Sequence, residues 1–385
     1  MSLALKDIAF NPARFILTVA GVGFLITASI GMVGLYRGIV GDALLIVEEV
    51  GADFWIVQGG RQGPFSEASS VRADLDRRVE GVAGVTEVRR FLQISQQFSA
   101  PDGHPTRASI VGLDYPKDGG EWIDLVAGRS IAASHFEAIA DESVGLKLGD
   151  VVRLNHDDYE IVGITRRMVD LSGDGLLFVT INDAMEIAQR RNSEEVLLTR
   201  AAVGDAGPVA ALSPAANKVS AILVNVDPAA DFSAVRQAMT AWGDVNVLSH
   251  EDQRNLLLDQ RLWRLRVQIL AFTGVLLIVM TIVISLIIYM MTIEKLHQIA
   301  MLKLMGARNS VIMGMIAQQS AAIAFLSFAV GLGMANLIFP HFPRRVVMAV
   351  DDLSLLFLAV CGIAAIASLV GIARALRVRA QEVLA

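Results

Sequence analysis

Residues 15–36 read FILTVAGVGFLITASIGMVGLY, an apolar stretch without a charged residue. A helix needs roughly 20 apolar residues to cross the hydrocarbon core of a bilayer, and this stretch has that length. Three further stretches, 267–291, 311–339 and 353–373, are also free of charge. We therefore predict four transmembrane helices. The first stretch is longer than the apolar region of a cleaved signal peptide, and no A-x-A cleavage site follows it. We therefore interpret it as a membrane anchor.

The composition of the whole chain supports a membrane protein. Of its 385 residues, 54% are hydrophobic and 19% charged, and the mean hydropathy is +0.53. Soluble globular proteins carry about a quarter charged residues. The net charge of −6 argues against a nucleic-acid partner, which would require a basic face. The single cysteine, Cys361, cannot form an internal disulfide, and we expect it to be a small buried residue.

Basic residues predict the orientation of the spans. They precede span 1, lie between spans 2 and 3, and follow span 4: Lys6, Arg14, Lys295, Lys303, Arg308, Arg374, Arg377 and Arg379. The positive-inside rule places these segments in the cytoplasm. The prediction is a multi-pass protein of the cell inner membrane, with cytoplasmic termini and a large periplasmic domain. Arg261, Arg264 and Arg266 at the outer end of span 2 oppose this orientation, but long domains translocate largely regardless of charge.

The segment between spans 1 and 2, residues 37–266, is predicted to be a mixed α/β extracytoplasmic domain. It comprises an α/β lobe at 51–125 and 219–249, a β-rich insert at 126–200, and helical stalks at 39–50 and 250–266. Within it we predict strands at 53–57, 85–99, 109–113, 221–226 and 245–248, helices at 74–79 and 232–242, and a hairpin of 151–154 with 159–164. The remaining segments are a helix at 292–310, a short outer loop at 340–352 and a basic tail at 374–385.

No catalytic or metal-binding motif is present in the sequence. It has no P-loop, no HExxH and no cysteine pair, motifs that would indicate nucleotide or zinc chemistry. His156, Asp157 and Asp158 have metal-ligand side chains, but we interpret them as a polar hairpin turn. His104, His135 and His250 are expected to be isolated surface residues.

The predicted spans contain no Asp, Glu, Lys, Arg or His, which argues against a proton- or ion-coupled carrier. Gln318 and Gln319 in span 3 are interpreted as hydrogen-bonding between helices. Gly34-x-x-x-Gly38 near the outer end of span 1 would permit close helix approach, as a dimer or packing contact.

The segment 292–310 has helical periodicity. Leu296, Ile299 and Leu302 recur at i, i+3 and i+6, and Gly306 is a plausible C-cap. One interpretation is a short amphipathic helix at the membrane surface. The other is a coupling helix that docks on a cytoplasmic ATPase.

Several stretches, taken in order, resemble the MacB/FtsX-like permeases of ABC transporters. LKLMGARNSVI at 302–312 is similar to their signature after the second span, and RALRVRAQEVLA at 374–385 to their basic tail. LALKDIAFNPARFILTVAGVGF at 3–24 resembles their opening, in which an amphipathic cytoplasmic helix, here 1–14, precedes span 1. AGRSI at 127–131, GLKLGD at 145–150 and YEIVGI at 159–164 resemble the MacB-type periplasmic core domain, and GADFWIVQGG at 51–60 resembles the DevC-type branch. Gln298-Ile299-Ala300 replaces the Glu-Ile-Gly common in the family.

The resemblance implies a type VII ABC transporter fold and a non-catalytic permease. It implies a homodimer that binds two copies of a separate ABC ATPase, which carries the ATP and magnesium, while this chain needs no cofactor. Its ATPase-coupling helix would use Glu294, Leu296, Ile299, Leu302, Lys303, Leu304 and Gly306. Mechanotransmission would then drive export or extraction of a hydrophobic or lipid-like substrate, with a HlyD-like adaptor and an outer-membrane channel as further partners. The alternative is an FtsX-type signal transducer that activates a cell-wall hydrolase.

Overall fold

The structure is a computed structural model that describes residues 12–189, 218–305, 308–342 and 344–377. Its described helices are α1 (Pro12–Val50), α2 (Leu75–Glu80), α3 (181–189), α4 (Phe232–Thr240), α5 (His250–Asn255), α6 (Trp263–Glu294), α7 (Leu296–Leu304), α8 (Asn309–Ile338) and α9 (Val350–Arg377). Its described strands are β1 (Phe54–Gln58), β2 (Val71–Arg72), β3 (Val85–Ser99), β4 (Pro105–Leu113), β5 (Leu125–Gly128), β6 (Glu137–Asp141), β7 (Val151–Leu154), β8 (Asp157–Thr165), β9 (Gly175–Thr180), β10 (Lys218–Val219), β11 (Ala221–Val226) and β12 (Val245–Ser249).

The chain forms two compact units. A sheet unit comprises Val40–Trp263, and a helical unit comprises the described parts of 1–39 and 264–385. Within the described residues, four helices are long and apolar enough to span a membrane: Phe15–Val50, Trp263–Glu294, Asn309–His341 and Val350–Ala373. These correspond to the four predicted spans, and the mixed α/β region lies between the first and second, as the sequence predicted.

The helical unit has an apolar core shared by its long helices. Ile26, Ile284, Ile316 and Val360 are among its buried members, at 2% exposure or less. Cys361, which we expected to be buried, is exposed on α9. The expectation was wrong because a membrane-spanning helix is apolar on its lipid side too, so an apolar neighbourhood does not mark the buried face.

The sheet unit is built on a ten-stranded sheet in the order β12-β1-β11-β3-β4-β9-β6-β8-β5, with β7 also paired to β8. Most neighbours are antiparallel, whereas β4–β9 and β6–β8 are parallel. Because β4 pairs with β3 on one side and β9 on the other, the proposed lobe and insert share one continuous sheet.

Each face of this sheet has its own hydrophobic cluster. Ile56, Ile110 and Leu177 belong to one cluster, and their neighbours Trp55, Val111 and Phe178 to the other. This alternation follows from the period of two of a β-strand, which sends successive side chains to opposite faces. Helices α2 and α4 contribute Val79, Val235 and Met239 to the first cluster, whereas the end of α1 contributes Leu44, Val47 and Val50 to the second.

Several predicted elements of the sheet unit are confirmed. The predicted hairpin exists, with Val152 opposite Tyr159 and Leu154 opposite Asp157. The predicted strand 221–226 is β11, and the helix predicted at 74–79 is α2, shifted by one residue.

The predicted helix 250–266 is not continuous. It comprises α5, a π-helical turn at Leu256–Arg261 and the start of α6. The amide of Leu262 donates to the carbonyl of Leu257, five residues earlier, at 2.9 Å. Leu257 and Leu262 are both buried, at 0% and 3% exposure, so the wider turn keeps both side chains out of solvent. Burial of these two leucines offsets the poorer geometry of the turn.

Candidate functional site

The helix between the second and third long helices is short and separate. Helix α6 ends at Glu294, Lys295 forms a turn, and α7 covers Leu296–Leu304. The amide of Lys295 donates to Thr292 O at 3.2 Å, and that of Ile299 to Lys295 O at 2.8 Å. The α-helical hydrogen-bond pattern is therefore interrupted at Lys295, whose backbone groups stay hydrogen-bonded.

Helix α7 divides into a buried and an exposed side. Ile299 and Ala300 are 1% and 0% exposed, and Ile299 belongs to the core of the helical unit. On α7, His297, Gln298 and Met301 are exposed and Leu296 is half-buried. Glu294 at the end of α6 and Met305 directly after α7 are exposed too. Ile299 therefore holds the helix against its own unit and is not available to an approaching protein.

The sequence predicted a coupling helix at the position of α7, but the residues predicted for it did not include the exposed methionines. Apolar spacing drew attention to Ile299, which the structure buries. Met301 and Met305 lie four residues apart on one side of a helix, and this spacing was the signal that could have found them. The side chains of Leu302, Lys303 and Leu304 and the predicted C-cap Gly306 lie outside the described residues.

A close contact between three long helices supports the start of α7. A methyl group at Gly371 of α9 would lie 2.8 Å from Ile288 Cγ2 of α6 and 3.4 Å from Ile316 Cγ2 of α8. Thr292, buried beside it, donates its hydroxyl to Ile288 O at 2.7 Å. The absence of a side chain at Gly371 lets these helices approach closely immediately before α7 begins.

Gly34 and Gly38 pack against the same chain. A methyl group at Gly34 would lie 2.6 Å from Val346 Cγ1, and one at Gly38 would overlap the Arg345 carbonyl oxygen. The amide of Val347 donates to Gly34 O at 3.0 Å. The guanidinium of Arg37 donates to both carboxylate oxygens of Asp352 at the start of α9. Of the two roles considered for these glycines, the structure shows packing of the 344–349 segment on α1.

Another close approach between two long helices, α1 and α8, occurs at Gly23 and Gly331. A methyl group at Gly331 of α8 would lie 2.9 Å from Gly23 O and 2.9 Å from Ile26 Cγ2. Thr27 donates its hydroxyl to Gly23 O at 2.9 Å and to Gly331 O at 3.0 Å. The Gly23-x-x-x-Thr27 spacing is a small-x-x-x-small pattern, and this pattern is the signal in the sequence that indicates the contact.

The two glutamines of α8 have different surroundings. Gln319 is buried at 7% exposure, and Ser320 beside it donates to Ala364 O of α9 at 2.6 Å. Gln318 is exposed. A role between helices within one chain is therefore open to Gln319 and not to Gln318.

The described polar residues of the sheet unit include candidate metal ligands. Among the residues that the structure describes, no three His, Cys, Asp or Glu side chains are grouped to hold an ion. His135 is not isolated, contrary to our expectation: its Nδ1 lies 2.6 Å from Oδ1 of Asp183, a carboxylate only 1% exposed. Asp183 lies 48 residues later in the chain, so local sequence gave no sign of the pair.

Glu137 of the sheet unit is a carboxylate whose pKa is strongly lowered. The side-chain hydrogen bond from Arg129 holds the pKa of Glu137 at about 2, against the opposing effect of burial. The amides of Ala132 and Ala133 also donate to it, at 2.8 and 3.0 Å. These hydrogen bonds, from Arg129 and from two backbone amides, stabilise the loop before β6. They also hold Glu137 ionised, so it is not available as an acid or base.

Comparisons with known proteins match both units. A family model described as the MacB-like periplasmic core domain matches residues 15–242, more than half of the chain. A second, the FtsX-like permease C-terminal domain, matches residues 270–383.

Relatives and solved structures are also found. An uncharacterized ABC transporter permease of Mycobacterium tuberculosis is 24% identical over 376 residues, covering 97% of this chain and 96% of the relative. One of Mycobacterium bovis is 22% identical over 372 residues, covering 96% and 95%. The periplasmic region of MacB from Actinobacillus actinomycetemcomitans aligns with 55% of this chain and 94% of its own, at a TM-score of 0.36 and 11% identity. The extracellular domain of the ABC-type transporter YknZ from Gram-positive bacteria covers 51% and 99%, at a TM-score of 0.34 and 14% identity.

Proposed function

Because the chain belongs to the ABC-transporter permeases that join a MacB-like periplasmic core domain to an FtsX-like permease domain, we propose that it couples a separate ATPase to the export or extraction of a hydrophobic or lipid-like substrate. An ABC permease implies an ABC ATPase as partner. Two ATPase copies would bind a homodimer of this chain in the inner membrane. ATP and magnesium would be held by the ATPase, and this chain would be a non-catalytic subunit.

The observation that carries this proposal is the two-sided helix α7. Ile299 and Ala300 hold it against the helical unit, while Met301 and Met305 are 46% and 74% exposed. Methionine adapts its shape to a partner and is frequent at contact surfaces. A force applied to α7 would therefore reach the long helices through packed side chains.

The composition of the long helices supports a mechanism in which the ATPase acts on this chain through helix movement. The predicted spans contain no Asp, Glu, Lys, Arg or His, and carriers that move ions through the bilayer usually place such residues there. We propose mechanotransmission, in which ATPase closure moves α7 and the movement reaches the periplasmic domain. Membership of the DevC-type branch, with a HlyD-like adaptor and an outer-membrane channel, is part of this proposal and rests on the 51–60 stretch.

The ATPase contact is tested by placing charges on the exposed side of α7. We expect Met301→Glu with Met305→Glu to reduce the co-purifying ABC ATPase about tenfold or more, because an unpaired charge in a buried contact costs several kcal/mol and about 1.4 kcal/mol is tenfold. The matched control is Val151→Glu, at a residue of the sheet unit that is 55% exposed. Undiminished ATPase in the α7 variant, at normal expression, would reject the contact.

A further inference from the structure

The carboxyl end of α1 lies inside the sheet unit. Val47 and Val50 are 0% and 5% exposed and pack in the cluster that contains Trp55 and Phe91. The helix ends because Gly51 adopts a φ of +62°, a left-handed conformation typical of the residue after a helix. The last carbonyls of a helix have no partner within it and carry partial negative charge, so this buried end requires donors from elsewhere.

Arg89 of β3 supplies such a donor. It is 8% exposed, and its Nη2 donates to the carbonyl of Val50 at 3.0 Å, 39 residues away in the chain. Its Nη1 donates to Oδ2 of Asp118 at 3.2 Å. One guanidinium therefore joins the helix end to the sheet and to the loop after β4.

Asp118 is itself fixed in place. It is 6% exposed, and its Oδ1 accepts from the amide of Gly120 at 2.9 Å and from Nε1 of Trp122 at 3.1 Å. A second contact holds the same helix end, since Nδ2 of Asn225 on β11 donates to Gly51 O at 3.3 Å. We call Val50, Arg89 and Asp118 the helix-end clamp.

The connection to the second long helix is built differently. Helix α5 is capped by Ser249 and Asp252, but the π-helical turn Leu256–Arg261 follows it before α6 begins. Its residues Asp259, Gln260 and Arg261 are exposed. A π-helical turn interrupts the regular hydrogen-bond ladder and is a common place for a helix to bend.

We propose that Arg89 is the positioning residue that transmits displacement of the first long helix to the sheet unit, while the π-helical turn before α6 bends. This inference rests on the proposed function for the source of the movement. Arginine is required because its planar fork can donate to Val50 O and to Asp118 together, whereas a lysine ammonium is a single point charge. The proposal therefore predicts that the contact between α1 and the sheet is stiffer than the π-helical turn that precedes α6.

The clamp is tested by hydrogen exchange of the full chain in lipid nanodiscs. The variant is Arg89→Gln with Asp118→Asn, which removes both buried charges together and so leaves neither unpaired. We expect the amides of residues 46–50 to exchange about tenfold faster or more, because a hydrogen bond from a charged group is lost. Arg72→Gln with Asp74→Asn is the matched control, since this arginine–aspartate pair is exposed. Arg89→Lys keeps the charge, and we expect it to give an intermediate increase in the exchange rate of these amides. It takes the place of the double variant if that variant does not fold.

A second measurement reports movement across the clamp. Spin labels at Glu49→Cys and His104→Cys, in a Cys361→Ala background, give the distance between the end of α1 and the β3–β4 turn. We expect a narrow distribution in the otherwise unchanged chain, with or without ATP and ATPase, and a broad one in the double variant. Unchanged exchange at 46–50 and an unchanged distribution in the folded variants would overturn the clamp. If the partner ATPase fails to bind the unchanged chain, the proposed function fails instead, and the exchange result still decides the clamp.

Discussion

At the scale of single residues, Glu137 shows how one carboxylate orders a loop. It accepts from Nη1 of Arg129 at 3.0 Å and from two consecutive backbone amides. These donors favour the ionised carboxylate, which lowers its pKa from 4.5 to about 2. A group whose pKa is lowered by folding stabilises the folded state above its unfolded pKa, and this contribution is lost as the pH falls towards its folded pKa.

Glu137→Gln tests this account through pH. We expect the variant to have a lower unfolding midpoint near neutral pH, and the difference from the unchanged chain to shrink below about pH 4.5 and disappear near pH 2. Thermal unfolding followed across this pH range measures it. Glu142→Gln is the control, since its pair with Arg166 is about half exposed on both sides and such pairs contribute about 0–1 kcal/mol. A difference that does not vary with pH would contradict the account.

At the scale of elements, close contacts at glycines determine how the long helices pack. In lipid there is no hydrophobic force between helices, so packing and interhelical hydrogen bonds hold them together. The Gly23–Gly331 contact with its Thr27 hydroxyl is such a site between α1 and α8.

Gly331→Ala should loosen this contact. Its new methyl group has no room between Gly23 O and Ile26, both about 2.9 Å away, and overpacking typically costs about 1–3 kcal/mol. Gly333→Ala is a matched control two residues later, where a methyl group meets nothing within 4 Å. We expect a lower unfolding midpoint in detergent for Gly331→Ala alone. Equal midpoints for the two variants would show that the contact does not matter.

At the scale of the whole molecule, sequence reasoning succeeded where the physics is local. The thickness of the bilayer sets the length of a membrane-spanning helix, so the four long helices were predictable. Strand β11 was predictable because a short apolar run bounded by turn residues indicates a buried strand. Sequence reasoning failed where contacting residues are far apart in the sequence. It also failed where a helix is apolar on its lipid-facing side as well as on its buried side, so that the pattern does not distinguish the two. Arg89 and Val50 are 39 residues apart, His135 and Asp183 are 48 apart, and Cys361 is exposed although its neighbours are apolar.

The orientation in the membrane remains a prediction from the distribution of basic residues. In a Cys361→Ala background, we expect His104→Cys to react with a membrane-impermeant maleimide from the outer side. His297→Cys on α7 should react only after the membrane is permeabilised. Both residues are exposed within their own units, so accessibility depends on the side of the membrane. The opposite labelling pattern would reject the orientation.

The central claim is that ATP turnover on a partner moves the periplasmic domain of this permease. The direct measurement places a spin label at His104→Cys, in the Cys361→Ala background, on both copies of the proposed homodimer, reconstituted with its ATPase. The distance between the two labels is then compared with and without ATP and magnesium. The account predicts that ATP shifts this distance distribution. Identical distributions, in a complex that hydrolyses ATP, would contradict it.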